Sequence, residues 1–301
     1  MAGIPFVKDI DFTPGVADKV LPGVRRVIAS NPGPFTFTGS GTYIVGNGEV
    51  AVIDPGPSEP AHRDALMEAL AGERVTHILI THTHSDHCGG AREFADLCDA
   101  PILGFGPHPV RKKQDDAPAL DEGSDYTFKP DQIIGDGDFI DGPDWRISAV
   151  HTPGHLSNHL CFAFEQQKAL FTGDHMMGWA TTVVAPPDGD MSAYIESLSK
   201  LLARTDEIYL PTHGAPIISP HRFVRAVRTH RLMRDAQIVE QVKKGHTKIK
   251  DIVAVMYADI DKRLHGAAAL NVLAHLIRLT QIGTVRCEGA PGMKTTYTPS
   301  E

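Results

Sequence analysis

The chain has 301 residues, of which 42% are hydrophobic and 22% charged, a composition that excludes disordered and fibrous classes and leaves room for a sizeable core. Its apolar runs are short, such as Ile78-Leu79-Ile80, far below the roughly 20 residues that a membrane-spanning helix needs. The net charge of −8 is unevenly spread: residues 1–220 hold 15 Lys+Arg against 30 Asp+Glu, and residues 221–301 hold 14 against 7. An acidic body with a basic tail predicts two domains, 1–220 and 221–301, the tail facing a polyanion or docking on the body.

Charged residues interrupt the first thirty positions, so no secretory signal is expected and the cytoplasm is the default compartment. Strands are predicted at Val24–Ala29, Thr42–Val45 and Val50–Ile53, with turns at Gly46-Asn47-Gly48 and Asp54-Pro55-Gly56. A helix over Ala61–Ala71 leads into a buried strand, Val75–Thr81, then a helix to Cys98 and a strand at Pro101–Gly104. The polar stretch Pro107–Pro130 reads as a long loop or lid. Strand character returns at Ile133–Ile140 and Trp145–His151, followed by a hairpin of Leu160–Glu165 and Ala169–Thr172. A helix at Ser192–Ala203 and a strand at Glu207–Leu210 close the first part. Hairpin strands followed by interleaved helices indicate two sheets with helices outside. Beyond them lie a long helix, His221–Lys244, two shorter ones at Ile249–Tyr257 and Ala267–Gln281, and a short hairpin, the outline of a winged helix.

Sixteen histidines are present, and the densest cluster is Thr81-His82-Thr83-His84-Ser85-Asp86-His87. Imidazole and carboxylate are the donors a borderline divalent metal takes, and four of them in six residues exceed what one ion draws from one loop. His155, Asp174 and His213 repeat the placement, each just past a strand end and beside Gly or Pro. Donors gathered from strand ends around one crevice are how α/β sheets build sites. The four cysteines include no Cys-x-x-Cys pair and read as small buried hydrophobes.

The order His-x-His-x-Asp-His, then His, Asp and His, resembles the metallo-beta-lactamase superfamily over about residues 20–220. The resemblance implies an α/β fold, the four-layer αββα sandwich, with a two-metal centre at one edge. It implies a first metal site of His82, His84 and His155 and a second of Asp86, His87 and His213, with Asp174 bridging. Two Zn2+ ions per chain are implied, and Mn2+ or Fe2+ suits the same donors. Gly173-Asp174-His175-Met176-Met177-Gly178-Trp179, then Thr181–Val184 and the winged-helix outline, resemble the beta-lactamase-like subgroup with a small C-terminal helical winged-helix domain. This extends the likeness to nearly the whole chain.

Hydrolysis by a metal-bound hydroxide is the reaction expected, with Asp86 and Asp174 as the catalytic carboxylates. True beta-lactamases with this His loop lack the bridging acid, so Asp174 argues against antibiotic hydrolysis as the main role. Three functions remain. A phosphodiesterase or endoribonuclease acting on RNA follows from the subgroup and the basic tail. A hydrolase of a small thioester, ester or lactone follows from Thr152-Pro153-Gly154-His155 and His159, which resemble glyoxalase-II-type enzymes. A nucleic-acid-binding regulator with structural metals is the non-enzymatic alternative. Substrate-binding candidates are His159, His175, Phe35, Phe37 and Tyr194. DNA binding is not expected, because Ala267–Gln281 is apolar with Arg278 its only Lys or Arg. That helix should pack on the body, and the ladder Arg222, Arg225, Arg228, Arg231 and Arg234 should be mostly solvated. No membrane partner is expected, and self-association is left open.

Overall fold

The computed structural model describes residues 3–109, 123–259 and 261–300. Two sheets face each other. The first has seven strands in chain order: β1 (Asp18–Leu21), β2 (Val24–Ile28), β3 (Gly41–Asn47), β4 (Glu49–Ile53), β5 (Arg74–Leu79), β6 (Ile102–Gly104) and β7 (Gln132–Ile133). Its first four strands run antiparallel, and the pairs from β4 to β7 are parallel. The second sheet has five: β8 (Phe139–Asp141), β9 (Arg146–His151), β10 (Leu160–Phe164), β11 (Ala169–Gly173) and β12 (Ile208–Pro211), ordered β12-β11-β10-β9-β8.

Alternation of side chains sends each strand's residues to two different cores. Tyr43, Val45, Ile53 and Leu79 of the first sheet meet Ile147, Leu160, Phe162 and Phe171 of the second. The outer face of the first sheet, with Ile44, Val52 and Ile78, is covered by α1 (Pro60–Ala69), the short α2 (Ser85–Cys88) and α3 (Ala91–Cys98). Against the outer face of the second lie α4 (Met191–Leu202) and the front of α5 (Pro220–Lys243), through Tyr194, Leu198, Phe223 and Val227. The layering is therefore αββα, as expected. Sequence sets the helix starts: Asp190 caps α4 by accepting from the Ala193 amide at 3.0 Å, and Pro60 and Pro220 open α1 and α5.

The rear of α5, with Ile238 and Val242, forms a separate core with α6 (Ile249–Met256), α7 (His265–Gln281) and the hairpin β13 (Val285–Cys287) and β14 (Tyr297–Pro299). Helix α7 also returns to the body, where Ala274 joins the core beneath α4 and Ser192 donates to Gln281 at 2.9 Å. None of the described helices is long and apolar enough to cross a membrane.

Three expectations need correction. The stretch Ile133–Ile140 is not one strand: it breaks between β7 and β8, and the chain there passes from one sheet to the other. Gly137 turns it with φ +85°, and Asp138 accepts from the Gly135 amide at 2.7 Å. The strand β1 was not anticipated. Helix α5 is not mostly solvated, because Phe223, Val227, Arg231, Asp235, Ile238 and Val242 form a buried stripe. Arg231, one rung of the arginine ladder, is fully buried within it. The expected lid falls partly on residues 110–122, outside the described residues.

Candidate metal centre

Strands β9, β11 and β12 run in the same direction, as do β4 and β5, and their carboxyl ends meet at one edge of the sandwich. The two sheets are tied together there: Tyr43 Oη donates to the Pro211 carbonyl at 2.8 Å, and the Leu160 amide to the Thr81 carbonyl at 2.7 Å. Each candidate donor sits just past one of these ends. His82, His84, Asp86 and His87 follow β5, His155 follows β9, Asp174 follows β11, and His213 follows β12.

The fold brings all seven together in two groups. His82, His84, His155 and Asp174 form one, and Asp86, His87 and His213 the other, the donor atoms within each lying within 4.8 Å of one another. In the first, His84 turns Nδ1 inward, 3.0 Å from His82 Nε2 and 3.1 Å from His155 Nε2. In the second, His213 Nε2 lies 3.2 Å and His87 Nε2 3.4 Å from Asp86 Oδ2. Asp174 reaches both groups. Its Oδ2 is 3.7 Å from His155 Nε2, and its Oδ1 is 3.3 Å from His213 Nε2 and 3.4 Å from His87 Nε2. His87 Nε2, His213 Nε2 and Asp174 Oδ1 are buried with no hydrogen-bond partner among the described residues. Orphaned buried donors of this type, converging on one space, fit divalent cations.

The electrostatics divide the same way. Burial, with His87, His84 and His155 close by, pushes the His82 imidazole far below its usual value, and burial takes His84 to about 3. Burial opposes charge on His87 and His213 too, but there the carboxylates of Asp86 and Asp174 outweigh it and hold both imidazoles up. Asp174 is held well below the carboxylate range despite burial, because His213 and His87 face it.

A second layer aims the donors. The His87 Nδ1 lies 2.8 Å from Asp54 Oδ2, and Asp54 also accepts from the Thr81 amide at 2.8 Å and the Thr81 hydroxyl at 2.7 Å. His155 Nδ1 is 2.6 Å from the Val183 carbonyl, His213 Nδ1 is 3.2 Å from the Gly39 carbonyl, and Ser40 Oγ donates to Asp86 at 2.9 Å. Such partners fix tautomer and ring orientation. The sequence reading missed Asp54, having taken Asp54-Pro55-Gly56 for a turn, although an acid just past the end of β4 repeats the placement of the other donors. Gly173 must be glycine: at φ +47° a Cβ would stand 2.7 Å from His159 Nε2 and 2.9 Å from Thr81.

The five weaker candidates divide. His159 is buried, holds Thr152 Oγ1 at 2.9 Å through Nδ1, and accepts from the Asp174 amide at 3.2 Å through Nε2. His175 is buried against Tyr194, ring centres 4.7 Å apart, and Tyr194 spends its hydroxyl on the His175 carbonyl at 2.9 Å. These three face into the protein, beneath the centre. Phe37 stacks on Trp179 at 4.8 Å, beside the Gly214 that follows His213, so that pair stands at the rim; Phe35 is half-buried in the same loop.

Residues 36–213 match the Metallo-beta-lactamase superfamily, and residues 249–293 match the Beta-lactamase associated winged helix domain. An Atrochrysone carboxyl ACP thioesterase of Aspergillus chevalieri is 30% identical over 262 residues, covering 84% of this chain and 77% of the relative. A thioesterase of the same description from Cryptosporiopsis sp. (strain 8999) is 29% identical over 312 residues, covering 97% and 88%. Among solved structures, a beta-lactamase domain protein from Burkholderia ambifaria superposes with a TM-score of 0.77 at 22% identity, covering 96% of each chain. A metallo-beta-lactamase family protein of Thermus thermophilus gives 0.74 at 21%, covering 93% and 100%. These structural likenesses extend the shared fold through the C-terminal helices. With the family matched over more than half its length, and its histidines and aspartates gathered at the strand ends, the chain belongs to the metallo-beta-lactamase superfamily and is a hydrolase of that superfamily.

Proposed function

We propose that this chain is a two-metal acyl thioesterase, zinc being the ion its histidine-rich donor set suits best. The supporting observation is the Asp174 carboxylate, which offers one oxygen to each donor group. On this reading His82, His84 and His155 hold one ion, Asp86, His87 and His213 the other, and Asp174 both. When bound, such a pair supplies Lewis acidity and lowers the pKa of a coordinated water from 15.7 to about 7.

The chain's own residues do the rest. Asp174 would bring its charge to both ions and Asp86 to the one at His87 and His213. Asp54, Gly39 and Val183 keep three imidazoles turned toward the centre. Phe37 and Trp179 offer an apolar wall to an acyl chain. Thioester cleavage suits the site because a thiolate, whose conjugate acid has a pKa of about 8.5, leaves without a strong acid beside it.

The relatives, whose names describe carrier-protein thioesterases, favour a thioester over the phosphodiester that the basic tail suggested. The arginine ladder weakens the RNA reading further. Arg222 and Arg225 are exposed, Arg228 and Arg234 half-buried and Arg231 buried, so they offer no common phosphate-binding face.

A turnover panel tests the proposal. Zinc-loaded protein is offered acyl thioesters of N-acetylcysteamine and of coenzyme A, S-lactoylglutathione, single-stranded RNA, bis-p-nitrophenyl phosphate and nitrocefin. Thioesters should have the highest kcat/KM, by about 10²-fold or more. Faster cleavage of a phosphodiester would overturn the thioester reading and leave the family assignment standing.

A further inference from the structure

The segment from Asp174 to Asp190 has no regular secondary structure, yet it carries two groups that matter at the centre. Asp174 itself is one. The Val183 carbonyl, which sets His155 through Nδ1 at 2.6 Å, is the other. A loop that must place both needs an anchor between them, and Thr182 is where it is held. The Thr182 hydroxyl donates to the Asp174 carbonyl at 2.6 Å and lies 3.2 Å from the His175 carbonyl. The Thr182 carbonyl accepts from Nη2 of Arg231 on α5.

Arg231 is an expensive residue to put there. It is fully buried, and its Nε and Nη1 have no hydrogen-bond partner among the described residues. Nor does a described carboxylate stand in ion-pair range of it. Its guanidinium carbon lies 5.2 Å from the centre of the Tyr194 ring, whose face offsets part of the charge. An apolar side chain at this point of the buried stripe would pack at lower cost. The arginine contributes something packing alone does not: a charge-assisted hydrogen bond reaching from a long, rigid helix to the loop.

We propose that Arg231 is a positioning residue of the metal centre, holding Thr182 so that Asp174 and His155 keep their aim. Helix α5 is then part of the active-site scaffold and not only the link to the winged helix. The inference rests on the ligand set proposed above and is independent of the substrate class.

Cobalt(II) titration of the full-length, metal-stripped protein tests it, read by visible absorption and elemental analysis alongside thermal unfolding. Wild type should bind two cobalt ions. Arg231→Met should bind the ion at His82, His84 and His155 about 10-fold more weakly, the lower end of the effect of removing an outer partner of a ligand, with an altered cobalt spectrum. Arg231→Lys should recover part of that loss. Thr182→Val, nearly isosteric, should reproduce the defect, and the double variant should be little worse than either, because both break one chain of contacts. His275→Gln is the control: it loosens α5 from α7 by disturbing the 2.7 Å contact with Asp235 and leaves Thr182 alone. It should lower Tm and spare cobalt binding. If Arg231→Met and Thr182→Val lower Tm but bind cobalt as tightly as wild type, with an unchanged spectrum, the positioning role is overturned. Should wild type itself bind no cobalt, the ligand reading fails and takes this inference with it.

Discussion

Asp174 turns one carboxylate oxygen toward His155 and the other toward His87 and His213, so its charge serves both donor groups at once. Asp174→Asn keeps the volume and removes the charge that offsets repulsion between two cations. Turnover on the best substrate of the panel should fall by about 10²-fold or more. Elemental analysis should show the ion at Asp86, His87 and His213 lost before the other. Near-normal turnover with two ions bound would exclude a bridging role. Asp54 is tested differently, because it touches the proposed ligand His87 and not the centre itself. Asp54→Asn leaves His87 without its 2.8 Å carboxylate partner, and affinity for the ion held by His87 should fall by about 10- to 100-fold. Competition with a chelator of known zinc affinity measures this. Unchanged affinity would assign Asp54 to the fold alone.

At the scale of elements, α1 is tied to the first sheet by a buried histidine whose protonation is costly. Thr42 donates its hydroxyl to the Asp54 carbonyl at 2.7 Å, so His62 Nε2, 2.8 Å from Thr42 Oγ1, donates to the hydroxyl oxygen. His62 Nδ1 is then bare, buried and without a hydrogen-bond partner among the described residues. Burial lowers the imidazole to about 4. The unfolded chain takes up a proton near pH 6.5 that the folded chain refuses until about pH 4. Stability from this site is thus complete above pH 6.5 and is lost as the pH falls toward 4. Between about pH 7.5 and pH 5 the loss should be about 2 kcal/mol. In His62→Gln, which keeps a donor for Thr42, it should be absent. Urea unfolding of metal-free protein at the two pH values gives the difference, and equal pH slopes for the two proteins would refute it. The same elements show what the sequence could and could not reveal. The clustering of His82, His84, Asp86, His87, His155, Asp174 and His213 was legible because each stands just past a strand end beside Gly, Pro or another of the set, and the fold gathers them into two groups. Val183 acts through a backbone carbonyl, which leaves no mark on residue identity. Arg231 stood in a ladder spaced by three, while the buried stripe of α5 advances by four and three, so one rung fell inside. The break at Gly135 and Gly137 looked like a pause in one strand because flanking β-type residues belong equally well to either sheet.

For the whole molecule, the question is whether the C-terminal helices are an independent module or part of one folded body. Helix α5 belongs to both cores: Phe223 and Val227 lie with the sandwich, Ile238 and Val242 with the winged helix. Helix α7 buries Leu270, Val272, Leu273, Leu276 and Leu279. Its removal would expose the rear of α5, strip Asp235 of His275 and Arg278, and uncover the side of α4 that Ala274 packs against. Each large apolar side chain returned to water costs about 1.5–3 kcal/mol, so several together match the whole stability of an ordinary domain. A chain ending at Thr247 should therefore aggregate, or unfold at a markedly lower Tm, by size-exclusion chromatography and differential scanning fluorimetry. It still contains Arg231 and every proposed ligand. Any soluble fraction should therefore still bind two metal ions, which separates the role of the winged helix in stability from the role of α5 at the centre. A truncated chain that is soluble, monomeric and unchanged in Tm would instead make the winged helix a free module, leaving its contacts with α4 and α5 without energetic consequence.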